Sequence, residues 1–327
     1  MYDFGGMISQ LRGKGKTIVF TEGTDARIIE AASRLIKEEI LTPIMIGNKE
    51  GVLKAAEAAG FCIDGAVIID PASYERLDEM VDMFVELRKS KGMTEEEARK
   101  ILAQANYFGT MLVKMGVADC LLGGATYSTA DTVRPALQII KTKPGNSIVS
   151  SCFILARDGK DGGSEVYAMA DCAINLDPDE DQLVEIMGET VNCAKVFGVD
   201  PKVAFLSFST KGSGKGLKVD KMQNATAKAK EAYPELPIEG ELQFDAAVAP
   251  EVAQTKCKGS TVAGYANVFI FPDINAGNIG YKIAQRMGDF EAYGPILLGL
   301  KAPINDLSRG CNALEVYKMS IITAALA

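Results

Sequence analysis

Short apolar strands alternate with amphipathic helices between residues 17 and 69, and this alternation constrains the fold more than any other feature. Thr17 to Phe20 reads as a strand. Glu22-Gly23-Thr24-Asp25 then caps a helix with Ile28, Ile29, Ala32 and Leu35 on its apolar face. Pro43 to Gly47 is a second strand, Lys49 to Ala59 a second helix and Ala66 to Ile69 a third strand. This βαβαβ order requires a parallel sheet with right-handed crossovers, so the fold class is α/β.

Helices dominate next. Tyr74 to Lys89 is amphipathic, Thr94 and Glu97 form a capping box for the helix through Leu102, and Tyr107 to Met115 is a further helix. Asp119 to Leu122 is a strand that runs into Gly123-Gly124-Ala125-Thr126-Tyr127-Ser128-Thr129, before a helix over Ala130 to Ile140 that carries Arg134. A glycine-rich turn at a helix start cradles an anion through free N–H groups and the helix dipole. The same pattern also fits a plain helix cap by Ser128 or Thr129, with Arg134 solvated.

Lys141 to Asn146 is polar, contains a Pro-Gly turn and marks a domain boundary. Ser147 to Leu155 is a strand, Arg157 to Gly163 an exposed turn, and Glu165 to Leu176 a strand with its exit, together a hairpin-like pair. A helix from Asp179 to Phe197 follows, then a strand from Val203 to Phe208. The next loop, Ser209 to Gly216, is not a P-loop: Ser209 stands where that motif needs glycine, and Gly216 follows the lysine. Its hydroxyls, glycine N–H groups and Lys211 suit a single phosphate; a surface loop is the alternative. The carboxylates between Ile238 and Ala247 read as caps and domain contacts, because no oxygen-ligand loop pattern surrounds them.

The stretch from Asn267 to Glu315 carries the densest chemistry. Val268 to Phe271 suits a buried parallel strand, ended by Pro272 and Asp273. Asn275, Gly277, Asn278 and Gly280 leave the backbone free to approach a ligand. A helix is expected over about Ile279 to Met287, carrying Lys282 and Arg286. A second apolar segment, Pro295 to Leu300, ends in the polar turn Asn305 to Gly310 before the last helix. Two strand ends followed by glycine, hydroxyl and cationic groups describe an anion site at the carboxyl edge of an α/β sheet.

Composition narrows the chemistry. With 327 residues, 47% hydrophobic and 24% charged, the chain is expected to form one large or two medium soluble domains. Net charge of −8 argues against nucleic acid and anionic membrane surfaces as partners. The count of histidines is 0, which removes Ser-His-Asp and Cys-His catalysis and zinc sites with histidine ligands. The 7 cysteines are scattered without a C-x-x-C pair, as expected for reduced thiols in the cytoplasm. The first residues lack the apolar core of a signal peptide, and no apolar run approaches the ~18 residues of a membrane span.

Four separated segments are similar to phosphotransacetylases (phosphate acetyltransferases): Asn106 to Gly145, Leu206 to Gly216, Glu239 to Ala253, and the strings FPDINAGNIGYKIAQR and GPILLGLKAPINDLSRGC. The N-terminal EGTDARIIEAASRL fits as well. The resemblance spans essentially the whole chain in order. It implies two α/β/α domains with an interdomain cleft, isocitrate/isopropylmalate dehydrogenase-like. Domain I, the coenzyme side, would comprise residues 1–143 and 300–327, with the C-terminal helix returning to it; domain II, the phosphate and acyl side, would comprise 144–299. It also implies a homodimer and reversible acetyl transfer between acetyl phosphate and coenzyme A, releasing inorganic phosphate, with coenzyme A as a substrate, no permanently bound cofactor and no metal.

Residue by residue, the resemblance makes Ser308 and Arg309 the reactive pair of the DLSRG turn. Glu315 stands where the family base is an aspartate. Arg88 and Arg134 match arginines implicated in coenzyme binding, and Arg286 matches an active-site arginine. Ser128, Thr129, Ser209, Thr210, Lys211 and Gly212 match phosphate-facing loops, and Asn278 is grouped with them as a substrate contact. Tyr127 replaces a histidine common among relatives. Cys311 is expected to line the site without acting as a nucleophile. Three other functions are weighed: a phosphate butyryltransferase, a metal- and NAD-dependent dehydrogenase of the same fold, and a non-catalytic regulatory domain.

Overall fold

Two sheets organise the chain. In order the strands are β1 (Thr17–Phe20), β2 (Thr42–Ile46), β3 (Val67–Ile69), β4 (Cys120–Gly123), β5 (Ser150–Asp158), β6 (Ser164–Ala170), β7 (Val203–Leu206), β8 (Ile238–Leu242), β9 (Val268–Ile270), β10 (Glu291–Leu298) and β11 (Ile304–Asp306). The computed structural model describes residues 2–159 and 163–327. Lys160, Asp161 and Gly162 of the expected turn lie outside the described residues. The chain divides into an N-terminal unit, Phe4–Pro144 with Leu300–Ala327, and a middle unit, Gly145–Gly299 with Tyr2 and Asp3.

The N-terminal unit holds an all-parallel sheet in the order β11-β4-β1-β2-β3. The chain builds outward from β1 through β2 to β3, then returns to the other side of β1 with β4 and β11. The switch point between β1 and β4 is where open α/β sheets hold their ligands. Asp25 caps the helix Ala26–Lys37 by accepting the Arg27 N–H, and Ile28, Ile29, Ala32 and Leu35 are buried as the apolar stripe requires. The last helix, Ala313–Ala325, packs on it and buries every residue from Val316 to Ala324. Each large aliphatic side chain buried there contributes about 1.5–3 kcal/mol. The helix expected over Ala130 to Ile140 is Thr129–Pro135 followed by a wider turn, Ala136–Ile140. Pro135 has no N–H to continue the regular ladder.

The middle unit holds a mixed sheet, β10-β5-β6-β9-β7-β8. β5 pairs antiparallel with β6 and β10, while β6, β9, β7 and β8 run parallel. β9 lies between β6 and β7 with all three residues buried, as its apolar run requires.

Two expectations for the Asn267 to Glu315 stretch are corrected. The helix after β9 begins at Ile274, not Ile279, and runs to Met287. The Asp273 carboxylate accepts the Ala276 N–H at 3.1 Å and starts the helix early. Asn275, Gly277, Asn278 and Gly280 are therefore helical. Gly277 is small because of packing: a Cβ there would sit 2.2 Å from the Asp171 carbonyl oxygen. The second correction concerns Pro295 to Leu300, of which Pro295 to Leu298 closes β10 (Glu291–Leu298), an antiparallel edge strand whose register shifts between Tyr293 and Ile296. Pro295 cannot donate to a ladder, so it sits in this irregularity. The polar turn at Asn305 to Gly310 instead follows β11, a three-residue strand of the other sheet.

Candidate active site

β11, β4 and β1 are neighbours and end on one edge of the N-terminal sheet. The loops beyond them are hydrogen-bonded to one another. Leu307 N–H donates to the Gly123 carbonyl at 2.7 Å, which extends the β11–β4 pairing into the turn. Glu22, just past β1, accepts from the N–H groups of Gly124 at 2.9 Å and Thr126 at 3.2 Å, and from the Thr21 hydroxyl at 2.7 Å. Burial pushes the Glu22 carboxyl up, and these donors pull part of that rise back.

Asp306 ends β11 and is 2% exposed. It accepts from the hydroxyls of Thr129 at 2.6 Å and Thr132 at 2.5 Å. Burial raises its pKa, against the two threonine bonds. Gly124 has φ +99°, and a Cβ on it would lie 2.2 Å from Asp306 Oδ1. Tyr127 joins the same layer: its hydroxyl lies 2.8 Å from Thr21 Oγ1, and burial pushes the phenol up. Its role here is packing and hydrogen bonding in the sheet edge.

The turn after β11 is closed by Cys311 N–H donating to the Ser308 carbonyl at 2.9 Å and Gly310 N–H donating to Ser308 Oγ at 3.2 Å. The side chains of Ser308 and Arg309 are exposed. Cys311 is buried, which raises its thiol pKa despite the nearby Arg27; a neutral thiol is a poor nucleophile. Glu315 stands in the first turn of the last helix. Its Oε2 accepts the Asn312 N–H at 2.9 Å, and Asn312 Oδ1 accepts the Glu315 N–H at 2.9 Å, a complete capping box.

The charges of Arg88 and Arg134 both act on Tyr107. Burial raises the Tyr107 phenol, and the positive charges of Arg134 and Arg88 act against that rise. Tyr107 donates to Gln138 Oε1 at 3.2 Å. The Arg88 Nε is buried with no hydrogen-bond partner among the described residues. Ser128 stands at the N-cap of its helix but donates to Asp131 Oδ2 at 2.7 Å instead of capping an N–H.

The middle unit holds the other assigned residues. Its loop after β7 is wired internally. Ser209 is 0% exposed, donates to Glu241 Oε1 at 2.7 Å and accepts the Gly214 N–H at 2.8 Å. Gly212 N–H also donates to Glu241 Oε1, at 2.8 Å, and Thr210 Oγ1 exchanges bonds with Gln243. Lys211 pairs with Glu239. Burial disfavours ionised Glu239, but the hydrogen bonds of Lys211 and Lys230 outweigh it and hold the carboxyl at about 2. Asn278 is committed too, donating to the Cys172 carbonyl at 2.9 Å. Arg286 is exposed in the last turn of its helix, two turns from Asn278.

Sequence reading missed Arg27, Glu22, Asp306 and Glu241. In the sequence Glu22 and Asp25 read as a helix start, Asp306 as part of a polar turn and Glu241 as a capping carboxylate, while Arg27 carries no signal of its own. A buried carboxylate between two glycine-rich segments is the signal, and it shows only when the strand order is known.

The family model described as phosphate acetyl/butaryl transferase matches residues 6–324. A phosphate acetyltransferase of Bacillus subtilis is 54% identical over 318 residues, covering 97% of each chain. The crystal structure of a phosphotransacetylase from Streptococcus pyogenes superimposes with a TM-score of 0.95 at 54% identity, covering 98% of this chain and 97% of that one. A putative 4-hydroxythreonine-4-phosphate dehydrogenase from Salmonella typhimurium, 12% identical with a TM-score of 0.53, shares the fold alone.

Proposed function

This chain belongs to the phosphate acetyl/butaryl transferase family and is an acyltransferase of the phosphate acetyltransferase type; on that premise we propose that the turn Ser308–Arg309 is its reactive centre. The observation that carries the proposal is the position of this turn. It leaves β11 beside the β4 loop, next to the β1/β4 switch point, with both side chains exposed.

In the proposed reaction the coenzyme A thiol, with an ordinary pKa of roughly 8.5, loses its proton to a carboxylate. Glu315 is assigned that role and Ser308 orients the sulfur. The thiolate attacks the acetyl carbon of acetyl phosphate; a C–S bond forms, the bond to the phosphate oxygen breaks, and inorganic phosphate leaves. Arg309 offsets the charge that builds on the acyl and phosphate oxygens. Arg88 and Arg134 are assigned to coenzyme A, supported by two positive charges that act on the same Tyr107 phenol. Ser128 and Thr129 are assigned to phosphate, and Arg286 to the acyl phosphate. Ser209, Thr210, Lys211 and Gly212 are assigned to a phosphate-facing loop of the middle unit, and Asn278 to a substrate contact there. The direct transfer needs no resident cofactor.

We also propose a homodimer, because Ile279, Ile283 and Met287 form an exposed apolar row four residues apart on one helix. Light scattering that gives the monomer mass would refute it. A cytoplasmic location fits the free cysteines; among the described residues no helix is long and apolar enough to cross a membrane. The deciding experiment is thioester formation from coenzyme A with acetyl phosphate and butyryl phosphate in parallel. A kcat/KM that favours acetyl phosphate is expected; preference for the butyryl substrate overturns the acetyl reading.

A further inference from the structure

We propose that Arg27 is a positioning residue that holds the Ser308–Arg309 turn against the β4 loop. This rests on the reading of that turn as the reactive centre. Arg27 stands in the first turn of the helix Ala26–Lys37, 282 positions from Arg309 in sequence. Its guanidinium reaches two loops at once. Nη1 donates to the carbonyls of Arg309 at 2.9 Å and Cys311 at 3.0 Å. Nη2 donates to the Ala125 carbonyl at 2.9 Å. The remaining edge is clamped by Asp25, which accepts from Nε at 3.0 Å and from Nη2 at 2.8 Å.

A guanidinium has five N–H donors in a rigid fork. Here each has an acceptor: one Nε–H and one Nη2–H on Asp25, the second Nη2–H on Ala125, and both Nη1–H groups on the turn. Arg27 therefore has no donor left for a phosphate, unlike Arg309, whose side chain is exposed. Its charge is matched by Asp25, which also caps the helix and so has a fixed position. The chain of constraint runs from the helix cap, through a planar fork, to the carbonyl of the residue that carries the reactive guanidinium. Fixing that carbonyl fixes the peptide plane on which the Arg309 side chain is mounted. Lysine cannot replace this geometry, because an ammonium is a point donor on a flexible stem.

The test separates positioning from binding. In Arg27→Lys, kcat should fall about 10–100-fold, the scale of a misplacement near 1 Å, while the KM values for acetyl phosphate and coenzyme A each stay within about threefold. In Arg27→Ala, millimolar guanidinium chloride should restore kcat at least about fivefold, and sodium chloride at equal ionic strength should not. Asp25→Asn keeps a capping side chain but weakens the clamp, and should lower kcat about threefold or more. If Arg27→Ala does not fold, the other two variants decide. An unchanged kcat in folded Arg27→Lys and Asp25→Asn overturns the proposal, as does a KM increase above about tenfold with kcat preserved, which would make Arg27 a substrate ligand. Arg309→Ala is measured alongside. If it stays active, the reading of the reactive turn has failed; if it is inactive while the Arg27 variants work normally, only the positioning role has.

Discussion

Thr132 donates to Asp306 Oδ1 at 2.5 Å, so the helix after β4 is bonded to the last residue of β11, 174 positions later. The same carboxylate oxygen lies where a side chain on Gly124 would go. Gly124→Ala would force a Cβ to within 2.2 Å of that oxygen in a backbone with φ +99°. The dihedral alone costs about 1–3 kcal/mol, and displacing Asp306 adds to it. We expect the variant to melt at least several degrees lower and to lose turnover with its stability. A thermal midpoint equal to that of the wild type would show that the loops do not pack as described.

Arg309→Ala tests chemistry without touching the fold. The side chain is exposed, while the carbonyl that Arg27 holds stays in place. Loss of a donor aimed at developing charge costs about 10²–10³ in rate, and loss of a full guanidinium should cost at least that. Steady-state kinetics should show kcat reduced about 10³-fold with an unchanged circular dichroism spectrum. Turnover near the wild-type value would exclude Arg309 from the reaction.

Arg88→Gln should act on one substrate. The Arg88 side chain is only half-buried, so its guanidinium can meet an anionic ligand although its Nε is enclosed. A charge-assisted hydrogen bond is worth about 1.5–3 kcal/mol, or roughly 10–100-fold in affinity. We expect that rise in KM for coenzyme A, with KM for acetyl phosphate changed less than about threefold. Equal effects on both substrates would contradict the assignment.

Glu239 provides a pH test. Its carboxyl is held at about 2, against an ordinary 4.5, because bonds from Lys211 and Lys230 outweigh burial. A lowered folded-state pKa stabilises the fold above the unfolded value of 4.5 and is lost as pH falls from there through about 2. Glu239→Gln should therefore be less stable than the wild type at pH 7 in urea unfolding. The difference should shrink steadily once the pH drops below 4.5. A constant difference over that range would show that the ion pairs contribute nothing.

The parallel sheet of the N-terminal unit was legible because strand and helix periods differ, and the helix Lys49–Ala59 falls where its pattern puts it. The DLSRG turn was legible as chemistry but was attached to the wrong strand. β11 has three residues and little pattern of its own; what makes it a strand is pairing with β4. Gly277 and Asn278 looked like a ligand loop because glycine and asparagine permit one. Whether a glycine serves a ligand or a neighbouring carbonyl depends on tertiary contact, which here is Asp171. Arg27 was invisible for the same reason, since the acceptors that tie it to the two loops are backbone carbonyls 98 to 284 positions away.

Glu315 carries two possible duties, and one substitution separates them. Its Oε2 closes a capping box with Asn312, and glutamine at this position closes the same box through its amide oxygen. Glu315→Gln should therefore keep the melting temperature while removing a proton acceptor. If Glu315 is the base, kcat should fall about 10²-fold near pH 6, where the coenzyme A thiol is neutral and needs help. The loss should narrow above about pH 8.5, where that thiol ionises unaided. Glu315→Ala removes both duties and should lose stability by a further ~1 kcal/mol, the usual size of a cap contribution. A pH–rate profile of Glu315→Gln that matches the wild type would leave Glu315 as a helix cap alone, and the thiol would then reach its thiolate by passing its proton directly to solvent or to the leaving phosphate.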